Sequence, residues 1–378
     1  VRYRQAVDEL DAAIAALLDD AVTRGVCSAA AAAVGGPAGA RQWVCGHDRA
    51  VPAQGAPIAL ATRFDLASLT KPIATATATL ALIARGRLGF ADRAARWLPG
   101  LGDDVAVLHL LGHASGLPAH VKFYERLWAG EGAAATPRAA LVAMALATPR
   151  IQPAGAVAVY SDVGYILLAA LCERVADRPF EEVVADALAP LELAATGFVD
   201  LTRPGPRPAA PVTELCPVRG WVVGEVHDEN AHAGGGVAGH AGLFAPIGDV
   251  ARFAAAAARA PREGLGAIPA ALWATAFATA AAPDTSWRLG WDTPSASPGV
   301  SHAGEAWPRV DAVGHLGFTG TSMWLDTARG AYAVLLTNRV HPRRDRPEAA
   351  AIKELRRAFG DAAVAWSRGP DERSMSYM

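Results

Sequence analysis

The strongest constraint on how this chain can fold is where its strand signals fall. Residues 27–34 and 41–45 are short apolar runs on either side of Gly35-Gly36-Pro37-Ala38-Gly39, which reads as two strands joined by a turn. Far along the chain, residues 321–325 and 331–337 alternate or cluster apolar side chains around residues 326–330, and a second hairpin is predicted there. The middle reads differently: residues 72–85, 139–147, 163–175 and 181–188 carry good helix formers separated by proline and glycine, with no sign of regular sheet. A first helix is predicted over residues 8–23, where Leu10, Ile14, Leu17, Leu18 and Ala21 recur at helical spacing before Gly25, and a last one over residues 348–359. Strands at both ends with helices between them predict an α+β fold: one antiparallel β-sheet built from both chain ends, flanked by helices, with an inserted mainly helical lobe. The expected division is a single domain over residues 1–378, with an α/β lobe of approximately residues 1–69 and 236–378 and a helical lobe of approximately residues 70–235. A functional site belongs where those parts meet.

Composition removes several classes of function. With 35 basic and 37 acidic residues the chain has no field of one sign, so nucleic acid and anionic membrane surfaces are not expected partners. The longest uncharged apolar runs, residues 72–84 and 163–172, fall short of the ~20 residues that cross a bilayer, so no membrane span is expected. The opening residues lack the apolar core and cleavage site of a signal peptide, which favours a cytoplasmic location and leaves a periplasmic or secreted one open if a leader was removed. Cys27, Cys45, Cys172 and Cys216 are scattered and read as buried free thiols. His227, Asp228, His232 and His240 fit no zinc spacing, so no metal and no cofactor is expected, and they read as a structural hydrogen-bonded loop. Residues 203–211 read as a surface loop, and residues 234–239, glycine-rich but preceded by Asp228-Glu229-Asn230 instead of a strand, as a flexible one.

Chemistry concentrates in three places. Ser68-Leu69-Thr70-Lys71-Pro72 stands at the entry to a predicted helix, and residues three apart share a helical face, so the Lys71 amine can reach the Ser68 hydroxyl. Twelve serines and only three lysines in 378 residues make about 0.1 such pairings expected by chance. A helix N-terminus favours an alkoxide, and a partly buried lysine can take a serine's proton. The second place is Tyr160-Ser161-Asp162 before an apolar helical run; a phenol beside an ammonium can relay protons, and equally Ser161 or Asp162 can cap the helix while Tyr160 packs. The third is His315-Leu316-Gly317-Phe318-Thr319-Gly320-Thr321-Ser322, whose glycines admit close approach by a ligand to an edge strand and whose amides can complete an oxyanion hole, and equally the glycines can form a turn. Ser115 lacks the G-x-S-x-G spacing of a nucleophile elbow, and Phe123, Tyr124 and Trp128, which could line an acyl pocket, read at helical spacing as core packing.

Taken in order, the three motifs resemble those of the serine β-lactamase and penicillin-binding protein superfamily, most of all its class C-like esterases and D-aminopeptidases. Ser68-Leu69-Thr70-Lys71 is similar to that family's Ser-x-x-Lys, Tyr160-Ser161-Asp162 to its Tyr-x-Asn, and His315-Leu316-Gly317 to its Lys/His-Thr-Gly strand. Leu110-Leu111-Gly112-His113-Ala114-Ser115-Gly116-Leu117-Pro118 and Gly239-His240-Ala241-Gly242-Leu243-Phe244 support the resemblance, which covers nearly the whole chain. It implies one catalytic domain in which Ser68 is the nucleophile, Lys71 and Tyr160 share acid and base work, and the Ser68 and Phe318 amides form the oxyanion hole. His315, Gly317 and Asp162 would line the substrate site. Two departures matter. Asp162 stands where Asn is usual and favours the Lys71 ammonium, which moves the base role to Tyr160. His315 and Leu316 replace the cation and hydroxyl that grip a penicillin carboxylate, and a histidine is only fractionally charged at neutral pH. The expected substrate is therefore a small ester or amide before a β-lactam. A D-amino-acid peptidase or β-lactamase is the alternative, as is a penicillin-binding sensor or scaffold that acylates without turnover.

Overall fold

The computed structural model describes residues 2–37, 39–132, 134–297 and 299–368. The first hairpin pairs Ala29–Gly36 with Gly39–Gly46, and the late one pairs Ser322–Asp326 with Ala331–Thr337. The two join across the chain ends, Ala29–Gly36 running antiparallel to Ala331–Thr337 with Ala32 opposite Leu335. Ala312–Leu316 then adds to Ser322–Asp326, with His315 opposite Met323, and becomes the edge of a five-stranded antiparallel sheet. This is the α+β architecture expected from the sequence.

Ala29–Gly36 contains five successive alanines, poor strand formers by propensity. Burial on both faces overrides propensity here. Ala29, Ala31 and Ala33 belong to one apolar core with Val250, Phe253 and Ala257 of the helix Ile247–Glu263. Ala30, Ala32 and Val34 belong to another with Ile14 and Leu18 of Arg2–Thr23 and Leu355 and Phe359 of Ile352–Arg368. Methyl side chains let helices approach this central strand closely from both sides.

The middle of the chain is helical. Asp162–Ala176 is buried along most of its length and packs beside Thr77–Ala84, whose residues from Thr77 to Leu82 are buried. Among the described residues one stretch, Ala67–Ala84, is long and apolar enough to cross a membrane by length and composition, with mean hydropathy 1.2, and 83% of it is buried inside the protein. It is the central core helix of the fold.

That helix differs from the expected regular α-helix. Ala67–Leu69 is a 3-10 turn, Lys71–Ala76 is π-helical, and only Thr77–Ala84 is α. Pro72 supplies a reason: without an N–H it cannot close an ordinary i→i−4 bond. Thr77 Oγ1 instead donates to the Pro72 carbonyl five residues back, at 2.9 Å.

Candidate active site

The turn bearing Ser68 is held from several directions. Asp65, buried, accepts the Ala67 N–H at 2.8 Å and the His227 N–H at 2.7 Å. Ala67 sits at φ 48°, a left-handed conformation that a non-glycine residue keeps only when its surroundings impose it. Thr319 Oγ1 donates to the Asp65 carbonyl and Thr321 Oγ1 to the Leu66 carbonyl, at 2.9 and 3.0 Å. Gly317 lies against the same turn, where an added Cβ would come within 2.0 Å of Thr321 Oγ1 and 2.7 Å of the Leu66 carbonyl. Its small size therefore admits the Ser68 turn, where the sequence suggested room for a ligand.

Below Ser68, the Lys71 ammonium is fully buried and has three oxygen partners. Its Nζ lies 3.0 Å from Ser68 Oγ, 2.7 Å from Asp162 Oδ1 and 3.1 Å from the His240 carbonyl. The Tyr160 ring lies 4.7 Å from Nζ, close enough for the Lys71 charge to pull on the phenol's proton. Ser161 caps the helix Asp162–Ala176, accepting the Gly164 N–H at 3.0 Å and donating to the Pro118 carbonyl at 2.7 Å. Capping and a functional Tyr160 are thus compatible, and the cap sets Asp162 in the first helical turn, where the helix dipole favours a carboxylate.

Charge in this cluster is settled by competition. Burial pushes the Lys71 amine down, but Asp162 and Tyr160 outweigh it and leave the amine above its usual value. Burial pushes the Asp162 carboxyl up, and Lys71 with His120 more than reverses that, holding it well below the usual carboxylate range. Burial raises the Tyr160 phenol more than Lys71 lowers it. At neutral pH the resting site is an ammonium–carboxylate pair beside a protonated phenol. Removal of one proton from Tyr160 and Lys71 together creates a base touching Ser68.

His315 is buried, and its Nδ1–H donates to the Leu316 carbonyl at 2.8 Å. Burial, then the Lys71 charge, pushes its pKa down to about 3, so the ring is neutral, further from a fixed cation than the sequence implied. Phe318 is 48% exposed at the cleft wall, and its N–H donates to no protein group among the described residues. Ser68, Tyr160, Asp162, His315, Gly317 and Phe318 all line one cleft of about 690 Å³, with Lys71 beneath it.

The same cleft contains residues that sequence reasoning missed. Trp287 stacks on Tyr160 with ring centroids 5.0 Å apart, and His120 lies 3.4 Å from Asp162 Oδ2. Tyr124, read as core packing, faces the cleft, because the helix Phe123–Trp128 is short and buries Phe123 instead. Arg339, Lys353 and Arg356 also reach it from the end of the chain. The glycine-rich segment 234–239, expected to be flexible, is buried instead: Thr75 Oγ1 donates to the Gly239 carbonyl at 2.6 Å, and a Cβ at Gly239 would come within 2.2 Å of the Tyr165 carbonyl. Its glycines permit close packing that presents the neighbouring His240 carbonyl to Lys71. His227 and His240 face Glu214 and Asp228, each at 2.8 Å.

The chain is similar to known proteins over most of its length. The chain is 30% identical over 305 residues to a putative D-alanyl-D-alanine carboxypeptidase of Escherichia coli (strain K12), covering 74% of this chain and 70% of that one. It is 30% identical over 309 residues to an N-acetylmuramyl-L-alanine amidase of Bacillus subtilis (strain 168), covering 74% and 68%. The solved structure of EstCE1, a hydrolase with promiscuous acyltransferase activity, superposes with a TM-score of 0.70 at 20% identity over 95% of this chain and 100% of that one. The family model described as Beta-lactamase matches residues 10–357, and the chain belongs to that family of serine hydrolases of the β-lactamase and penicillin-binding type.

Proposed function

We propose that this protein hydrolyses carboxylic esters and related amides through an acyl-enzyme on Ser68, as one catalytic domain. The observation that carries the reading is the Lys71 ammonium 3.0 Å from Ser68 Oγ, held by Asp162 in a buried site. Asp162 keeps the proton on Lys71, so the proton that must leave first is the phenol's, and the adjacent ammonium stabilises the phenolate. Tyr160 then takes the Ser68 proton as Oγ attacks the substrate carbonyl. The oxyanion lies against the Ser68 and Phe318 amides. On collapse, Tyr160 returns the proton to the leaving oxygen or nitrogen, and water releases the acyl group by the same steps.

A fluorophosphonate or an activated aryl ester should leave an adduct on Ser68 by mass spectrometry, absent in S68A. An adduct on another residue refutes the assignment. Sustained turnover excludes a sensor that acylates once, which would show a burst of one equivalent and no steady rate.

A second reading concerns substrate charge. Arg344 is paired with Glu214 and Glu229, but Arg339, Lys353 and Arg356 have no carboxylate partner among the described residues. Arg356 is buried, its guanidinium bonded among the described residues to the Gly317 and Thr321 carbonyls, with burial pushing its pKa down to about 9. An uncompensated buried cation is costly, and a substrate carboxylate offsets that cost. This favours amides or esters that carry a free carboxylate, in keeping with the peptide-bond chemistry in the names of the bacterial relatives. The grip that His315 and Leu316 cannot supply would come from the end of the chain.

A further inference from the structure

The phrase Gly112-His113-Ala114-Ser115-Gly116-Leu117-Pro118 has no part in the chemistry above, yet it runs beside the segment that carries Tyr160. Gly155 N–H donates to the Ala114 carbonyl at 2.8 Å, Ile151 N–H to Gly116 at 2.7 Å, and Asp162 N–H to Ala119 at 2.8 Å. At the centre of this seam His113 makes two bonds. Its carbonyl accepts the Val159 N–H at 2.8 Å, and its ring Nδ1 accepts the Ser161 N–H at 3.1 Å. The residues before and after Tyr160 are thus tied to a single residue.

We propose that His113 is a positioning residue for Tyr160, fixing the phenol over Ser68 and Lys71 by clamping both neighbouring amides. This rests on the reading that Tyr160 moves the Ser68 proton. Because Nδ1 accepts a hydrogen bond, the ring proton is on Nε2, a buried atom with no hydrogen-bond partner among the described residues. The ring instead lies among aromatic faces, with centroids 4.7 Å from Tyr160, 4.6 Å from Trp287 at 72°, and 4.9 Å from Tyr165. Such an arrangement suits an N–H directed at a π face. A protonated imidazolium could not accept the Ser161 N–H and would add a second cation beside Lys71. Burial, then the Lys71 charge, keeps the ring neutral, with its pKa well below the usual histidine value. His113 also holds φ 59°, a left-handed conformation that asparagine and glycine tolerate and most residues resist.

The backbone conformation selects the test. H113N keeps a side-chain acceptor near the position of Nδ1, and H113G removes the acceptor while accepting the same φ. With an aryl ester, H113G should lower kcat about 30- to 100-fold with KM little changed, and H113N should recover most of that loss. Y160F alone should be impaired about 100-fold or more, and adding H113G to Y160F should cost little further, because both changes disable one proton transfer. Should H113G not unfold cooperatively, H113Q replaces it, since its carbonyl lies one bond further out and misses the Ser161 amide. Full activity in Y160F defeats the reading of Tyr160 itself. An impaired Y160F with an undiminished H113G penalty on top, or an H113N no better than H113G, leaves Tyr160 standing and overturns the positioning role.

Discussion

The floor and the wall of the cleft hold charge in opposite ways. On the floor, Lys71, Asp162 and His120 form a closed set in which the positive Nζ lies 2.7 Å from a carboxylate oxygen. On the wall, Arg339, Lys353 and Arg356 face the same space with no carboxylate in salt-bridge contact among the described residues. Paired charges fix a protonation state before substrate arrives, whereas unpaired ones leave a deficit that substrate can fill. The floor is thus arranged for chemistry and the wall for selection, and each can be disturbed without the other.

The largest effect belongs to the floor. K71M removes the cation that stabilises the Tyr160 phenolate and should lower kcat/KM for a neutral aryl ester by about 1,000-fold or more. The same change leaves Asp162 without its partner, and breaking a buried pair from one side costs about 3 kcal/mol, readable by urea denaturation. If K71M keeps substantial ester turnover, the contrast between floor and wall has no catalytic meaning.

Next in size is D162N, which tests how the floor sets its pH range. The Asp162 charge holds protons on both Lys71 and Tyr160, so its removal eases loss of the phenol's proton, and the rising limb of kcat/KM should move down by about 1–2 pH units. A limb that stays in place means that Asp162 does not govern the proton. Stability has its own sign. The depressed Asp162 pKa stabilises the fold above the unfolded carboxyl value of about 3.9 and is lost as pH falls through the folded value. The raised Lys71 pKa stabilises it below about 10.4 and is lost as pH rises through the folded value. The stability gap between parent and D162N should therefore be flat across that window and shrink at both ends.

These two regions also differ in how far the sequence revealed them. Ser68 and Lys71 lie three residues apart, so local geometry alone brought them together, and strand signals at both chain ends were enough to foresee one sheet. Tyr160 could be named only through its place in an ordered set of motifs, since capping explained the same three residues equally well. The wall left no local trace: Lys353 and Arg356 sit on the helix Ile352–Arg368, where charged residues usually mark a solvated face. Their place in the cleft depends on how the last helix docks beside a strand edge, a long-range property. Residues 234–239 misled for a related reason, because glycine signals freedom in an isolated chain and close packing in a folded one. The alanines of Ala29–Gly36 were legible as a strand only through their hairpin partner, and the π-helical turn after Ser68 was not legible at all.

The smallest expected effect concerns the wall, and it separates the two regions most sharply. Paired substrates that differ only in a carboxylate, such as 4-nitrophenyl hydrogen glutarate against 4-nitrophenyl pentanoate, and an acyl-alanine against its alaninamide, place the negative charge on either side of the scissile bond. The parent protein should prefer the anionic member of at least one pair by about tenfold, a free-energy difference that a partly desolvated charge contact supplies. K353Q removes one cation without touching the Ser68 turn and should reduce that preference by raising KM, with kcat little altered. R339Q should go further, because Arg339 Nε also donates to the Phe318 carbonyl at 2.8 Å and its loss loosens the strand beside the oxyanion site. Added salt distinguishes the contributions. Lys353 is exposed and its effect should fade as the Debye length shrinks below about 8 Å, whereas buried Arg356 should be screened far less. If neutral and anionic members of both pairs react alike at low salt, the unpaired wall is structural, and selection must be sought among Trp287, Tyr124 and the exposed ring of Phe318.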